Sequence, residues 1–198
     1  MGTVSKIEFI HQSARSQVFF EFDHSNSNPL VWKVPQLDPG VHALLANEYD
    51  IASRINFSGV RTPIRKGVFQ GRDGYCYTYF HGEPLAVSKI AEEDFIPLAL
   101  QMVALLERLH EQGICHQSIA PGNLIFDPDS GQVRFIDLSF AGPPTMASEL
   151  EVTSKRDEIR FIAPERLNAL SAVPDHRADL YSLGMVFYSL LTGDYAYS

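Results

Sequence analysis

Residues 114–137, ICHQSIAPGNLIFDPDSGQVRFID, constrain the fold more than any other part of this 198-residue chain. A His-centred loop carries an Asn seven residues after the His, and two short apolar runs follow, joined by the turn-forming sequence DPDSG. The second run ends on Asp137. Asn and Asp oxygens are ligands that a hard cation such as Mg²⁺ prefers. The stretch therefore predicts two short strands that bring Asn123 and Asp137 together.

Composition and charge exclude several function classes. Hydrophobic residues make up 45% of the chain and charged residues 20%, as in an ordinary globular protein. The net charge of −8 argues against nucleic acid or an anionic membrane as the main partner. The two cysteines show neither a disulfide framework nor a zinc-site spacing, which indicates a reducing compartment. No apolar run approaches the ~18 residues of a membrane span, so we expect a cytoplasmic protein.

The first third of the chain predicts β-structure. Residues 5–10, 17–23 and 30–34 are short runs rich in Val, Ile and Phe, separated by polar breaks at 11–16 and 24–28. This pattern is typical of an antiparallel meander.

A helix and a hairpin are predicted next. Asp38-Pro39 predicts a helix start, and Glu48 lies on the apolar stripe of that helix, where a charge needs a partner. The stripe consists of Val41, Leu44, Leu45, Ala52 and Ile55. Residues 66–70 and 75–80 flank a predicted turn at 71–74. We expect the β-rich half to end near His81.

The second half is mainly helical by pattern. An amphipathic stripe of Leu98, Met102, Leu105, Leu106 and Leu109 predicts a helix that Gly113 closes. Residues 124–126 and 133–136 are predicted strands, and residues 141–159 a long loop. Residues 178–191 are apolar nearly all round, which predicts a buried helix.

Taken singly, the chemistry-bearing residues permit structural interpretations. Lys33 could be an edge-strand lysine in solvent, and Glu48 a partly exposed helix charge. His116 could be a structural hydrogen-bonding residue, and Asn123 and Asp137 could end a turn or a strand. Their order and spacing favour function, because this is the set that holds nucleotide phosphates and magnesium in kinases.

The chain resembles the protein kinase family over nearly its whole length. The matching segments are Val31-Trp32-Lys33, Glu48, His116-Gln117-Ser118 followed by Asn123, Asp137-Leu138-Ser139, Ala163-Pro164-Glu165 and residues 179–184. They stand where the family has its Val-Ala-Ile-Lys strand, helix Glu, His-Arg-Asp loop, Asp-Phe-Gly, Ala-Pro-Glu and helix-anchoring segment. Within the family, the chain is most similar to N-terminal kinase-like domains of large bacterial multidomain sensors.

Departures from the family pattern concern phosphate transfer. His11, Ser13 and Ser16 occupy the three glycine positions of the nucleotide-covering loop, which predicts a weaker backbone grip on phosphate. Ser118 replaces the catalytic Asp, a loss that typically lowers the rate by ~10²- to 10⁴-fold. Ala120 replaces a phosphate-neutralising Lys, and Gln117 replaces the Arg that reads a phosphorylated loop.

The resemblance implies an α+β bilobal fold and a nucleotide site. Residues 1–81 would form a β-rich N-lobe with one helix, and residues 82–198 a mainly helical C-lobe, truncated relative to the family. Mg²⁺ and ATP are the implied cofactors, with the metal on Asn123 and Asp137. The implied nucleotide-binding residues are Lys33, Glu48, Val18, Tyr77, Thr78, Tyr79, Phe80, Asn123 and Asp137. Tyr77 would lie at the back of the pocket, with residues 78–81 presenting backbone groups to adenine.

Three functions remain open at this point. The leading hypothesis is a pseudokinase that binds Mg-ATP with weak or no transfer. Ser118 then occupies the position of the catalytic Asp without functioning, and His116 is the other candidate catalytic residue. The alternatives are an active Ser/Thr kinase with an atypical loop, and a protein-interaction domain that binds no nucleotide. The implied partners are other domains of a longer signalling protein and, for an active kinase, a protein substrate.

Overall fold

The computed structural model describes residues 6–13, 15–22, 29–36, 39–144, 159–167 and 175–197. Asp38, the predicted helix cap, and most of the predicted loop at 141–159 lie outside these residues.

Five antiparallel strands form the first sheet, in the order β1-β2-β3-β5-β4. They are β1 (Lys6–Gln12), β2 (Ser16–Phe22), β3 (Leu30–Pro35), β4 (Pro63–Phe69) and β5 (Arg72–Thr78). The predicted break at 11–16 is too long, because His11 pairs with Val18 and Gln12 with Gln17. The interpretation of Lys33 as an edge-strand residue is wrong, because β3 lies between β2 and β5.

The hairpin between β4 and β5 turns two residues earlier than predicted. Phe69 pairs with Arg72, so the turn is Gln70-Gly71, and both residues have positive φ, 50° and 77°. A two-residue turn with positive φ at both positions matches the twist of the strands. The prediction of a turn at 71–74 is therefore wrong, since β5 begins at Arg72.

The first helix, α1 (Pro39–Ala52), packs one face against the sheet. Leu45 forms a small buried cluster there with Tyr75 and Tyr77 of β5. The predicted stripe extends too far, because α1 ends at Ala52 and Ile55 lies beyond the helix, in the main core.

The second half combines helices with a three-stranded sheet of order β6-β7-β8. Its elements are β6 (Glu83–Pro84), α2 (Glu92–Glu111), a 3₁₀ turn (Pro121–Asn123), β7 (Leu124–Asp127), β8 (Gln132–Phe135), α3 (Pro164–Leu167) and α4 (Arg177–Thr192). α2 buries Leu98, Met102, Leu106 and Leu109. Gly113 follows that helix with φ of 69°, as its position after the stripe predicts.

α4 is buried on one face only, which corrects the prediction of a helix buried all round. Leu183, Val186 and Leu190 face the core, whereas Leu180 is 52% exposed and Tyr188 44%. Apolar residues all round a helix can leave one side in solvent when the described chain offers nothing to cover it.

A continuous core joins the two halves of the chain. Val60 pairs with Phe135 in an isolated parallel bridge, and both belong to one buried cluster with Ile51 and Leu124. This bridge and cluster connect the segment before β4 to β8. The domain boundary after residue 81 stays a prediction.

Candidate functional site

Lys33 and Glu48 form a buried ion pair between β3 and α1. Lys33 Nζ lies 2.5 Å from Glu48 Oε2, and the Tyr77 hydroxyl donates a 2.8 Å hydrogen bond to Glu48 Oε1. Glu48 is only 3% exposed, so a carboxylate that would be costly alone has a partner on each oxygen. Burial and the Glu48 carboxylate raise the pKa of Tyr77, which keeps its hydroxyl a donor. The partner expected for Glu48 is thus Lys33.

Asp137, just past β8, lies against Lys33 and Arg15. We call Arg15, Asp137, Lys33 and Glu48 the charged row. Its carboxylate lies 3.3 Å from Lys33 Nζ and 3.7 Å from Arg15 Nη2, and it accepts a 2.5 Å hydrogen bond from Ser139 Oγ. Burial opposes ionisation of Asp137, but Lys33 and Arg15 outweigh it and lower its pKa below the ordinary value. Asp137 also has a φ of 61°, a left-handed conformation uncommon outside glycine.

Arg15 is the site residue that sequence reasoning missed. It lies in the turn between β1 and β2, where its guanidinium stacks 4.7 Å from the Phe140 ring centroid. Its carbonyl accepts a 2.8 Å hydrogen bond from the Gln36 amide, which ties the turn to the end of β3. Arg15 Nη1 is buried and has no hydrogen-bond partner within the described ranges. The only sequence signal was a cation within the loop expected to cover phosphate.

The loop that begins at His116 is held by Asp179 of α4. Asp179 accepts 2.7 Å hydrogen bonds from the backbone amides of His116 and Gln117, and its Oδ2 lies 2.9 Å from His110 Nε2. Asp179 is 1% exposed. Gln117, with φ of 62°, in turn accepts a 2.7 Å hydrogen bond at its carbonyl from Arg166 Nη1. A charged acceptor therefore fixes the backbone of the loop.

Neither ring nitrogen of His116 bonds to the Ser118 hydroxyl. Its Nδ1 accepts a 3.3 Å hydrogen bond from the Ser118 amide, so the ring proton lies on Nε2, which donates to the Ile136 carbonyl at 3.1 Å. Burial lowers the pKa of His116. The ring is therefore a neutral, fully engaged structural group.

Asn123 bonds to Ser118 rather than leaving it free. Asn123 Nδ2 donates to the Ser118 carbonyl at 2.7 Å and to its hydroxyl at 3.2 Å. In the described part of the chain, no carboxylate or imidazole nitrogen makes a hydrogen bond to the Ser118 hydroxyl. Both contacts use the amide nitrogen, so the Oδ1 of Asn123 keeps its acceptor capacity.

Asn47 connects α1 to the segment after Asp137. Its Nδ2 donates to the carbonyls of Ser139 and Ala141 at 3.0 and 2.9 Å. This residue precedes Glu48, so the same turn of α1 contacts both the charged row and the chain that follows Asp137.

The remaining predicted residues lie on β2, on β5 and in the segment after β5. Val18 lies on β2 opposite Lys33, and Tyr77 is 1% exposed. Thr78 ends β5, whereas the Tyr79 amide donates to the Pro29 carbonyl at 2.9 Å and is thus already engaged. Phe80 is 9% exposed, with the Arg134 guanidinium 3.8 Å from its ring centroid. The roles of these residues stay predictions.

The residues present fit a magnesium ion by donor chemistry. The Asn123 Oδ1 and the Asp137 carboxylate supply oxygen ligands of the kind that Mg²⁺ takes. A metal ion would compete with Arg15 and Lys33 for the Asp137 carboxylate, since both cations already lie against it.

Comparison with known proteins identifies the family. The sequence model of the protein kinase domain matches residues 76–198, more than half of the chain. The chain belongs to the protein kinase domain family. The resemblance drawn from its motifs is thereby confirmed.

Individual relatives are serine/threonine kinases. Serine/threonine-protein kinase PknJ of Mycobacterium tuberculosis is 26% identical over 164 residues, covering 79% of this chain and 28% of that protein. Serine/threonine-protein kinase stk11 of Xenopus laevis is 33% identical over 98 residues, covering 49% of this chain and 22% of that protein. The chain therefore spans less than a third of the length of these relatives.

A solved structure confirms the fold. A crystal structure of a kinase domain superposes with a TM-score of 0.78 at 16% identity, covering 96% of this chain and 64% of that chain. The α+β bilobal fold is thus confirmed. No helix within the described ranges combines the length and apolar character needed to cross a membrane.

Proposed function

We propose that the chain is a signalling domain of the pseudokinase type, which binds Mg-ATP and transfers phosphate weakly or not at all. The observation that carries the proposal is the hydrogen bonding of Ser118. Its hydroxyl accepts from Asn123, and its amide is bonded to a neutral His116. A hydroxyl without an activating base is a poor substitute for a carboxylate near pH 7.

The binding half of the proposal is supported by the charged row. Lys33, held by Glu48, offers its ammonium to phosphate oxygens, and Arg15 adds a second cation beside Asp137. Asn123 and Asp137 would hold Mg²⁺, which supplies charge neutralisation of the phosphates when bound. We assign the adenine edge to the segment from Thr78 to His81. Val18 and Tyr77 would line the same pocket.

Ligand binding and transfer need separate measurements. We expect Mg-ATP to raise the melting temperature of the purified chain and Lys33→Met to abolish that rise. Phosphate transfer from radiolabelled ATP, to the chain itself and to a generic Ser/Thr substrate, should stay far below the ~1 s⁻¹ of ordinary kinases. Turnover at or above that rate would refute the pseudokinase assignment.

An active kinase with an atypical loop is the second candidate, because the Lys33–Glu48 pair and Asp137 are in contact. Positioning and electrostatics carry much of phosphoryl transfer. If this candidate holds, Asp137→Ala removes activity, whereas Ser118→Ala changes it little. A chain that shows no thermal shift with Mg-ATP is instead the nucleotide-independent interaction domain.

The setting of the domain is inferred from composition and family. We infer a cytoplasmic chain whose partners are further domains of a longer signalling protein, with no role for nucleic acid. The buried, free cysteines Cys76 and Cys115 are consistent with a reducing compartment. The narrower likeness to bacterial multidomain sensors stays a prediction.

A further inference from the structure

A small cavity of about 100 Å³ lies where the start of β4, the end of β5 and β8 meet. Arg61, Thr62, Thr78, Phe80 and Arg134 line it. Its lining thus includes two arginines and two threonines, in a chain whose net charge is −8. This concentration of positive charge is local and runs against the overall charge of the protein.

Both guanidiniums are held by aromatic rings. The Arg61 Cζ lies 5.5 Å from the centroid of the Tyr77 ring, and the Arg134 Cζ lies 3.8 Å from that of Phe80. Stacking occupies the face of a guanidinium and leaves its N–H edge available for hydrogen bonds. Arg61 Nε is buried and has no hydrogen-bond partner within the described chain.

No acidic side chain in the described ranges forms a salt bridge with either arginine. The carboxylates that most affect the charge of Arg61 are those of Glu48 and Asp137. Lys33 contacts both of them. Tyr77 also bonds to Glu48, and Arg15 also contacts Asp137. Burial lowers the pKa of Arg61 and of Arg134. The carboxylate that most affects Arg134 is that of Asp127, which accepts a hydrogen bond from Ser130. Two partly buried cations without a salt bridge are costly, and an anion between them would offset that cost.

We propose that this cavity is a binding site for a small oxyanion, a carboxylate or a phosphate group. Two forked donors and two hydroxyls suit the oxygens of such a group. The cavity is several-fold smaller than the roughly 300–1,000 Å³ of a pocket for a drug-sized ligand, so it takes a single anionic group rather than a whole nucleotide. The cavity contains none of the four charged residues Arg15, Asp137, Lys33 and Glu48, and it shares Thr78 and Phe80 with the segment assigned to the adenine edge.

The test is a thermal-shift titration of the purified chain with inorganic phosphate and with malonate, against sodium chloride at equal ionic strength. Either oxyanion should raise the melting temperature saturably. Arg61→Gln and Arg134→Gln should each weaken the apparent affinity at least about tenfold, since a charge-assisted hydrogen bond is lost. Comparing the two anions tells whether the site prefers phosphate or carboxylate.

Arg65→Gln is the matched control, because Arg65 is exposed and stacks 5.0 Å from the Trp32 ring centroid outside the cavity. It should retain the full anion response, as should Lys33→Met/Glu48→Gln, which removes the Lys33 cation without leaving the Glu48 carboxylate unpaired. Loss of the response in a folded Lys33→Met/Glu48→Gln variant would place the anion at the nucleotide site and overturn the proposal. The same follows if neither anion produces a saturable shift, or if both cavity variants respond like the wild type.

The melting temperatures of the cavity variants in chloride are a further readout. Removing a buried charge that has no salt bridge should not lower the melting temperature, so Arg61→Gln and Arg134→Gln are both expected to fold. Either variant alone is enough to test the proposal. Arg134→Lys keeps the charge and should retain part of the response. Mg-ATP binding is measured in parallel, so its absence would refute the proposed function while leaving phosphate binding at Arg61 and Arg134 to be judged independently.

Discussion

Four charged side chains alternate in sign along the cleft: Arg15, Asp137, Lys33 and Glu48. Each acid lies between donors, and each base contacts at least one acid. The last three were predicted from sequence order and spacing, and Arg15 was not. The alternation explains how these charges persist at partly buried positions without a ligand.

Replacing Lys33 should destabilise the protein, because the Glu48 carboxylate would stay buried without a counter-charge. Lys33→Met leaves the Glu48 carboxylate buried with only Tyr77 bound, so we expect a loss of about 3–5 kcal/mol in the free energy of unfolding. In Lys33→Met/Glu48→Gln the buried charge is gone while an acceptor for Tyr77 remains, and the loss should be smaller. Urea unfolding of the wild type, both single variants and the double variant measures this. Losses that simply add would contradict a charge-pair origin.

The stability of the protein should depend on pH through Asp137. Its folded-state pKa is lowered, so the ionised form stabilises the fold above the unfolded value of roughly 3.9, and this contribution is lost as the pH falls below it. Asp137→Asn should therefore be less stable than the wild type at pH 7, and the gap should narrow from pH 5 to pH 3. Urea midpoints at these pH values give the gap, with exposed Asp73→Asn as control. A constant gap would exclude this linkage.

At the scale of elements, local sequence patterns predicted the positions of most strands and helices. The strands of the meander, α1, α2 and the β7–β8 hairpin lie within a few residues of their predicted positions. The predicted turn at 71–74, against the observed turn at Gln70-Gly71, shows the limit, because glycines at both 71 and 74 permit more than one register. Pairing of Phe69 with Arg72 selects one of them.

Two glycines should respond oppositely to alanine. Gly71 has open space around it but a φ of 77°, so Gly71→Ala should cost about 1–2 kcal/mol through backbone strain alone. Gly184 also has open space, in the interior of α4, so Gly184→Ala should gain about 0.4–1 kcal/mol by reducing the entropy of the unfolded chain. Thermal and urea unfolding of the two variants test the signs. Equal effects would rule out the conformational explanation.

At the scale of the whole molecule, Asp179 links distant parts of the chain. It joins α4 to the His116 loop and to α2 through three contacts. Asn47 makes a similar link between α1 and the segment after Asp137. The Asp179 contacts therefore connect α2, α4 and the His116 loop within the second half, and the Asn47 contacts connect that half to α1.

Asp179→Asn should loosen the loop and lower stability. The variant turns an N–H donor toward backbone amides that need an acceptor, so we expect a loss of about 2 kcal/mol or more. Amide hydrogen exchange at His116 and Gln117 should accelerate more than the global change explains. Asp175→Asn, four residues earlier and bonded locally to Arg177, should leave both amides unchanged. Equal protection in both variants would show that Asp179 does not hold the loop.

The sequence by itself determined the family, the order of the main strands and helices, and the positions of Lys33, Glu48 and Asp137 along the chain. These depend on local propensity and on spacing along the chain, and both can be read directly from the sequence. Only the tertiary structure decided that Arg15 reaches Asp137, that Ser118 is bonded to Asn123 and His116, and that Arg61 and Arg134 share a cavity. Such contacts join residues up to 122 positions apart, and packing of the two sheets, rather than any local pattern, brings them within reach.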